Sequence, residues 1–170
     1  KIICTVTNDL TYDQRMQRIC TSLQKNNYDV ELVGRILPDS KEIIQQTFQQ
    51  KRLKCFFNKG FLFYAEFNIR LLFFLLFTKF YIVCGCDLDT LPAALLAAKI
   101  KRKKVVYDAH EYFPESPELI GKPFKQSVWK FLEKMFVSET DAIYTVTDSI
   151  AQIFNKKYKN DILFKLRHNL

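Results

Sequence analysis

The residues best suited to chemistry in this sequence follow a run of β-branched and aromatic residues. Val105 to Asp108 has the pattern of a buried strand, and His110 and Glu111 come directly after it. In a parallel α/β sheet, ligands bind beyond the carboxyl ends of the strands. We therefore predict that His110 acts on a substrate, with Asp108 or Glu111 fixing its tautomer. The alternative is a structural histidine, which is the role we expect for His168.

Polar side chains also follow the first predicted strand. Asn8 and Asp9 lie in the loop after it, and Asp13 and Arg15 lie at the start of the next helix. Asn8 and Asp9 could hydrogen-bond a hydroxyl-rich ligand, while Arg15 could bind a phosphate or pair with Asp9. The alternatives are a solvated Arg15 and an Asp13 that only complements the helix N-terminus. The loop contains no glycine, so the G-x-G-x-x-G signature of NAD and FAD sites is missing and we do not expect these cofactors.

The fourth predicted strand is followed by a third polar loop. Asp89 and Thr90 could simply cap the next helix, so Asp87, nearer the strand end, is the better candidate for ligand contact. Cys84 and Cys86 in the same region form an isolated C-x-C pair. The sequence has no further cysteine or histidine at metal-ligand spacing nearby, so we predict reduced core cysteines and no metal site.

Alternating strand and helix patterns predict the elements that position these loops. The predicted strands are 2–7, 30–34, 52–57, 80–84, 105–108, 142–146 and 162–166. The predicted helices are 12–27, 61–79, 91–100, 122–138 and one that starts at Asp148, with a polar loop at 36–50. Such alternation is typical of a Rossmann-like, doubly wound α/β fold, here with about seven parallel strands and helices on both faces. The 170 residues suit a single domain spanning 1–170.

The segment 61–79 is the most apolar part of the chain. Glu66, Asn68 and Arg70 interrupt it, so its uncharged apolar run extends only from Leu71 to Phe77. A membrane span needs about 20 apolar residues. We therefore expect a buried or half-buried helix first, a membrane-surface helix second and a true span last. Glu66 and Arg70 stand four residues apart, which predicts an ion pair on the helix surface.

The charge balance favours anionic partners. The chain has 26 basic and 18 acidic residues and a net charge of +8, which suits nucleotides, acidic lipids or nucleic acid. Five of the six residues in 99–104 are basic, and we interpret them as a solvated turn rather than as a nucleic-acid or membrane patch. The sequence begins with a strand pattern and not with a secretory signal, so we expect a cytoplasmic location.

Taken together with two further segments, the three loops resemble the N-terminal half of a family 4 glycosyltransferase of GT-B fold. The segments that carry the resemblance are Val6–Arg15, Asp87–Leu91, Tyr107–Glu115, Thr145–Ser149 and Arg167–Asn169. The resemblance implies two Rossmann-like domains facing a cleft, in which the N-terminal domain mainly holds the acceptor and the C-terminal domain holds the nucleotide-sugar. It also implies a retaining transferase that needs no metal and no cofactor besides its nucleotide-diphosphate sugar substrate.

The resemblance also assigns roles to individual residues. His110 matches the histidine that reaches the donor sugar, the loop from Asn8 to Arg15 replaces the family's glycine-rich loop near the diphosphate, and Asn169 begins the interdomain joint. His110 is therefore the predicted catalytic residue. The predicted substrate-binding residues are Asn8, Asp9, Asp13, Arg15, Asp87, Glu111 and Asn169. The family's E-x7-E motif belongs to the C-terminal domain, and no pair of glutamates in this sequence has that spacing. We therefore expect half of an enzyme, with little or no activity alone.

The expected function is hexosyl transfer in bacterial polysaccharide biosynthesis. The acceptor would be a saccharide or a lipid-linked saccharide, with the basic charge and the aromatic helix 61–79 allowing peripheral contact with the inner face of a membrane. No nucleic-acid partner is expected in this interpretation. Two alternatives remain: a non-catalytic Rossmann- or flavodoxin-like module that binds a nucleotide or anion, and an adaptor that uses residues 99–104 to bind nucleic acid or membrane.

Overall fold

The protein is an α/β structure built on one parallel sheet. The computed structural model describes residues 1–117 and 119–158, and the backbone of residues 163–165. Its strands are β1 (Ile2–Asp9), β2 (Val30–Ile36), β3 (Gln49–Lys54), β4 (Ile82–Cys86), β5 (Lys104–Ala109), β6 (Ala142–Thr145) and the short β7 (Leu163–Lys165). Its helices are α1 (Gln14–Lys25), α2 (Gly60–Phe77), α3 (Leu91–Lys101), α4 (Pro123–Phe136) and α5 (Asp148–Lys157). The predicted fold class is confirmed, with six strands described in full and the seventh by its backbone.

The order of the strands creates a crevice between β1 and β4. The order is β3-β2-β1-β4-β5-β6-β7, and every adjacent pair is parallel. The chain therefore runs from β1 to one edge of the sheet, returns to β4 beside β1, and then runs to the other edge. Loops that leave β1 and β4 diverge at such a switch point, which is where ligands bind in open α/β sheets.

Several strand ends differ from those predicted. β1 and β4 both continue two residues further, so Asn8 and Asp9 end β1, and Cys86 lies inside β4. Pairing with neighbouring strands extends β1 into polar residues and β4 through Gly85 to Cys86, whereas the prediction ends each strand with its apolar run. β3 begins three residues earlier than predicted, at Gln49, because this edge strand is mostly polar and lacks the alternation of a half-buried strand.

The sheet separates two hydrophobic clusters. α2 and α3 pack on one face, in the larger cluster that includes Phe67, Leu71 and Tyr107. α1 packs on the other face, where Met16 and Cys20 contact residues of β1, β2 and β4. All five cysteines are buried and unpaired with one another, which confirms the prediction of reduced core cysteines.

Helix α2 is half buried, as the first of the three interpretations predicts. Every fourth residue from Phe63 to Leu75 is buried against the core, while other apolar side chains face outward. Its 18 residues are long and apolar enough to cross a membrane, and 22% of that window is buried. The predicted ion pair is present, with Arg70 Nε 2.7 Å from Glu66 Oε1. The buried stripe shows that this helix contributes to the core of the domain.

The basic run 99–104 is engaged in structural contacts. Lys99 pairs with Glu139 at 3.0 Å, and Lys104 pairs with Asp141 at 2.6 Å. Lys101 Nζ donates to three carbonyl oxygens at the C-terminus of α2, where a cation is favoured by the helix dipole. The run is therefore more than a solvated turn, and three of its charges have partners within the domain.

An asparagine of α2 fixes the start of α3. The Asn68 side chain donates to the carbonyl oxygen of Asp89 at 2.7 Å and accepts from the backbone N–H of Ala93 at 3.1 Å. Thr90 is the N-cap residue of α3, as predicted, but its hydroxyl contacts Thr5 and the carbonyl of Cys86 instead of capping the helix. The cap is therefore supplied by a neighbouring helix, which also holds the loop after β4.

Replacing Asn68 by alanine removes both contacts and leaves buried backbone groups unpaired. We expect Asn68→Ala to lower the free energy of unfolding by about 1–3 kcal/mol, measured by urea denaturation. The matched control is Asn155→Ala on the exposed side of α5, which should change the unfolding free energy by less than about 0.5 kcal/mol. Equal effects of the two substitutions would show that Asn68 does not anchor α3.

Candidate functional site

An open cleft of about 530 Å³ lies beyond the carboxyl ends of β1, β4 and β5. Six of the eight predicted site residues line it: Asn8, Asp13, Arg15, Asp87, His110 and Glu111. The N-terminal turn of α2 closes one side of the cleft with Lys59 and Phe63. The loops from three different strands therefore meet at one site, as the sequence predicted.

The side chain of His110 is fixed by Asp87. Its Nδ1 lies 2.6 Å from Asp87 Oδ2, and 41% of the imidazole is exposed. The hydrogen bond to Asp87 raises the pKa of His110 above its ordinary value, against the opposing effect of partial burial. The predicted tautomer partners were Asp108 or Glu111, and the structure corrects this to Asp87. Because Nδ1 is bound to a carboxylate, Nε2 is the ring nitrogen that can meet a ligand.

Asp87 also has an unusual backbone. Its φ is +61°, in the left-handed region that asparagine and aspartate tolerate better than most residues, and its N–H donates to the Asp108 carbonyl at 2.9 Å. This conformation turns the chain sharply at the end of β4 and aims the carboxylate at His110. Oδ1 of Asp87 is buried without a hydrogen-bond partner among the described residues.

Asp89 supplies a second carboxylate at the floor of the cleft. It is 7% exposed, and its Oδ2 accepts a hydrogen bond from Thr7 at 2.5 Å. Burial, followed by the charge of Asp87, raises the pKa of Asp89 to about 7. Its Oδ1 lacks a hydrogen-bond partner in the described part of the chain. Asp89 was considered a helix cap from the sequence, whereas the structure places it in the cleft beside Asp87.

Arg15 forms an ion pair with Asp108 on the α1 side of the sheet. The guanidinium contacts Oδ1 of Asp108, and the hydroxyl of Tyr144 donates to Oδ2 at 2.7 Å. Burial raises the pKa of Asp108 to about 6, although Arg15 and Tyr144 favour its charged form. The predicted partner of Arg15 was Asp9, so this pairing is a correction. Arg15 also lines the cleft, where its charge can face an anion.

Asp9 lies outside the cleft. Its carboxylate accepts from the hydroxyl of Ser40 and from the backbone N–H of Thr11, and lies 3.6 Å from Arg52. These contacts tie the loop after β2 to the end of β1. The predicted role of Asp9 in substrate binding therefore has no geometric support. The bulge between Thr5 and Asp9 in the β1–β2 pairing redirects its side chain, and sequence alternation does not reveal such a bulge.

The remaining predicted residues of the first loop organise the start of α1. Asp13 is the N-cap, and it accepts from the backbone N–H of Met16 at 3.0 Å and from the side-chain amide of Asn8 at 3.1 Å. The end of β1 packs closely against β2, where an added Cβ on Gly34 would lie 2.6 Å from the carbonyl oxygen of Asn8. The last predicted site residue, Asn169, lies outside the described residues.

Two cationic side chains in the cleft are absent from the predicted site. Arg35 comes from the end of β2 and Lys59 from the start of α2, and both line the cleft with Arg15. The guanidinium of Arg35 lies 4.2 Å from the centre of the Phe63 ring and donates to the carbonyl of Asn58 at 3.2 Å. Arg35 could have been predicted from its position at the end of a strand. Lys59 could not, because only the packing of α2 brings it to the cleft.

The sequence matches a family model described as Glycosyltransferase Family 4 over residues 14–162. Comparison with curated proteins finds no match. The fold is similar to that of sucrose-phosphate synthase from Thermosynechococcus elongatus in two solved structures. One has a TM-score of 0.70 at 9% identity, over 99% of this chain and 90% of that chain. The other has a TM-score of 0.68 at 9% identity, over 96% of this chain and 47% of that chain.

A further similar structure is the UDP-GlcNAc 2-epimerase from Methanocaldococcus jannaschii. It has a TM-score of 0.57 at 15% identity and covers 96% of this chain and 44% of that chain. At such identities the similarity concerns the fold alone. The chain thus spans slightly less than half the length of this relative and of the longer sucrose-phosphate synthase chain.

The contact between His110 and Asp87 predicts a specific pH dependence. Asp87→Asn should lower the pKa of His110, measured by NMR titration in a His168→Gln background that leaves one histidine. The pKa of His110 is higher in the folded protein than the value of about 6.5 for an unfolded chain. The pair therefore stabilises the fold fully at pH values below the unfolded-state pKa. This stabilisation is lost as the pH rises through the folded pKa. The gap in unfolding free energy between the parent and Asp87→Asn proteins should therefore narrow with rising pH.

Asp13→Asn is the matched control for this titration, because Asp13 lines the same cleft but is bonded to Asn8 and the start of α1. It should leave the pKa of His110 close to that of the parent protein. A His110 pKa that is unchanged by Asp87→Asn, or lowered equally by both substitutions, would contradict the assigned pairing.

Proposed function

The chain belongs to glycosyltransferase family 4, and we propose that its cleft helps to transfer a hexose from a nucleotide-sugar to a saccharide or lipid-linked acceptor, with retention of configuration. The observation that carries this proposal is the His110–Asp87 pair at the switch point of the sheet. It presents a ring nitrogen in a polar cleft whose other groups are suited to hydroxyls and to an anion. We place this reaction in bacterial polysaccharide biosynthesis, at the cytoplasmic side.

The proposed role of His110 is to hold the donor sugar. With Nδ1 bound to Asp87, the protonated imidazole can donate a hydrogen bond from Nε2 to a sugar hydroxyl. Such a bond aligns the anomeric carbon with the acceptor, and alignment of two substrates can supply several kcal/mol of the barrier reduction. The raised pKa of His110 keeps the imidazole charged over a wider pH range, which makes this donor stronger.

The cations of the cleft suit the leaving diphosphate. Arg15, Arg35 and Lys59 line the cleft without a glycine-rich backbone cradle between them. When a phosphate group leaves, negative charge develops on it, and cationic side chains directed at that charge strongly stabilise the transition state. We propose that these side chains replace the backbone donors that a glycine-rich first loop would provide.

The carboxylates of the floor suit the acceptor. Asp87 and Asp89 line the cleft, and each has one buried oxygen that lacks a protein partner among the described residues. A rotation of either carboxyl group would let that oxygen accept a hydrogen bond from a hydroxyl. A site built to hydrogen-bond hydroxyls rejects ligands that lack them, because its buried polar groups would then stay unpaired. A polyhydroxylated acceptor is therefore the ligand class that these oxygens favour.

We propose that a second domain completes the cleft and holds the nucleotide-sugar. The open cleft and the coverage of about half of the longer structural relatives support this proposal. Without the second domain, the two substrates would be neither aligned nor shielded from water, so we expect the isolated domain to be inactive.

Two further observations weigh against the other functions considered. The family match disfavours a non-catalytic module, and the ion-paired lysines of 99–104 disfavour a nucleic-acid adaptor.

The outer face of α2 is suited to a membrane surface. Phe61, Phe73 and Phe77 are 78%, 57% and 87% exposed, and Tyr81 just beyond the helix is 70% exposed, with Lys103 4.9 Å from its ring. Exposed aromatic side chains next to lysines match the interface of an anionic bilayer. The N-terminal turn of α2 lines the cleft, so docking of this face would bring a lipid-linked acceptor close to Asp87 and His110.

The proposed role of His110 predicts a loss of turnover. In the full-length enzyme, His110→Ala should lower kcat/KM on the order of 10²-fold, because a hydrogen-bond donor to the reacting sugar is removed. The measurement is sugar transfer from a panel of nucleotide-sugars, with Asn155→Ala as a surface control. The fold should be unchanged, because the imidazole is substantially exposed. Full turnover in the His110→Ala enzyme would remove His110 from the mechanism.

The proposed membrane contact predicts lipid-dependent sedimentation. The protein should co-sediment with vesicles that contain anionic lipid more than with neutral vesicles, and added salt should weaken this binding. Phe73→Ser combined with Phe77→Ser should weaken it roughly tenfold or more, since each buried phenylalanine contributes about 1.5–3 kcal/mol. Tyr28→Ser, an exposed aromatic between α1 and β2, is the control. Vesicle binding that depends on neither the lipid charge nor the double substitution would refute the proposed membrane contact.

A further inference from the structure

Four cysteines and one methionine form a continuous sulfur cluster on the α1 face of the sheet. Cys4 comes from β1, Cys20 and Met16 from α1, and Cys84 and Cys86 from β4, all of them buried. The Sγ of Cys86 lies 3.5 Å from the Sδ of Met16, and the thiol of Cys4 interacts with those of Cys20 and Cys84. The proposed sugar-transfer mechanism uses none of these sulfur atoms.

A carboxylate reaches the same cluster from the next strand. β4 and β5 pair in a register that sets Cys86 beside Asp108, and potential ligand atoms of Cys84, Cys86 and Asp108 all lie within 4.8 Å of one another. Ligands around tetrahedral Zn²⁺, with bonds of about 2.0–2.3 Å, are separated by roughly 3.3–3.8 Å. Binding therefore requires side-chain rotations that bring these atoms closer together.

The charges around the cluster balance for a divalent cation. Two thiolates and the Asp108 carboxylate carry three negative charges, and a divalent cation with the Arg15 guanidinium carries three positive charges. Before binding, the two thiols are protonated and Arg15 neutralises Asp108. The exchange of two protons for one divalent cation therefore leaves no net charge in the core.

We propose that Cys84, Cys86 and Asp108 bind a thiophilic divalent cation of the Zn²⁺ class. Thiolates select such cations over Mg²⁺ and Ca²⁺, and the neutral thioether sulfur of Met16, 3.5 Å from the Sγ of Cys86, completes a fourfold set without adding charge. Each oxygen of Asp108 keeps a lone pair after its bond to Arg15 or Tyr144, and these bonds hold the carboxylate in place as outer-shell contacts do in metal sites.

The cation has a route to this site. Cys86, Met16 and Arg15 all line the floor of the cleft, so an ion can enter between them without crossing the sheet. The prediction of no metal site rests on the lack of further cysteine or histidine residues along the chain near Cys84 and Cys86. The third ligand comes from a neighbouring strand, and its distance along the sequence gives no sign of its proximity.

Cadmium is the probe of choice, because thiolate-to-Cd²⁺ charge transfer gives a new ultraviolet absorption band. Titration of the reduced protein should show one equivalent bound, with Zn²⁺ competing for the same site. Cys84→Ser, Cys86→Ser and Asp108→Asn should each weaken binding at least tenfold. Cys55→Ser is the matched control, since Cys55 is buried in the cluster on the other face of the sheet. Equal binding by the Cys55→Ser and Cys84→Ser proteins would overturn the proposal.

X-ray absorption of the zinc-loaded parent protein avoids any dependence on the folding of the variants. At least two sulfur ligands at about 2.3 Å and one oxygen at about 2.0–2.2 Å are expected. A shell of nitrogen and oxygen atoms alone, or no zinc retained after desalting, would overturn the proposal. Neither measurement depends on sugar transfer, so the metal site and the proposed function can fail separately.

Discussion

The pairing of β1 with β4 is the constraint on which the rest of the molecule depends. It places Ile2–Thr5 against Ile82–Gly85 in the middle of the sheet, although 80 residues separate each pair along the chain. The chain order reverses at this pair, so the loops that follow the two strands leave a crevice between them. The cleft above this pair and the sulfur cluster beside it both follow from this single register. A shift of one residue would turn Cys84 and Cys86 to the opposite face.

The cleft concentrates groups that a stable core would avoid. Asp87 has a left-handed backbone, Asp89 is buried with its pKa raised to about 7, and both have an unpartnered oxygen among the described residues. Each feature costs free energy in the absence of a ligand. The surrounding structure offsets this cost by holding the β4–α3 loop with Asn68 from one helix and the backbone of Asp108 from the next strand. A hydroxyl-bearing ligand would satisfy the same oxygens, which links the strain to the proposed acceptor.

Asp108 lies between the cleft and the sulfur cluster and contacts groups of both. Arg15 binds it from the side of the cleft, and Tyr144 binds it from β6. Its carboxylate is also close to the sulfur atoms of Cys84 and Cys86. A cation bound at the proposed site would share this carboxylate with Arg15, using the lone pairs that its bonds to Arg15 and Tyr144 leave free. The proposed metal site and the phosphate side of the cleft would therefore be electrostatically coupled through Asp108.

The local sequence determined the order of strands and helices, the fold class and most of the residues at the cleft. His110, Asp87 and Arg15 could be found because a polar residue that follows a buried strand in an α/β fold must lie at one edge of the sheet. The cysteines could be assigned to the core from the apolar residues around them. The half-buried nature of α2 followed from its interruption by Glu66, Asn68 and Arg70.

Only the tertiary structure decided which of these side chains touch. Asp108 and His110 are two residues apart, yet Asp108 ends on the α1 face with Arg15, while His110 turns beyond the strand to Asp87. The bulge in β1 took Asp9 out of the cleft, and the packing of α2 brought Lys59 into it. Pairing register, bulges and helix packing depend on contacts between residues far apart in the chain. Local sequence patterns are enough to predict the helices and strands, whereas these long-range contacts decide which side chains meet.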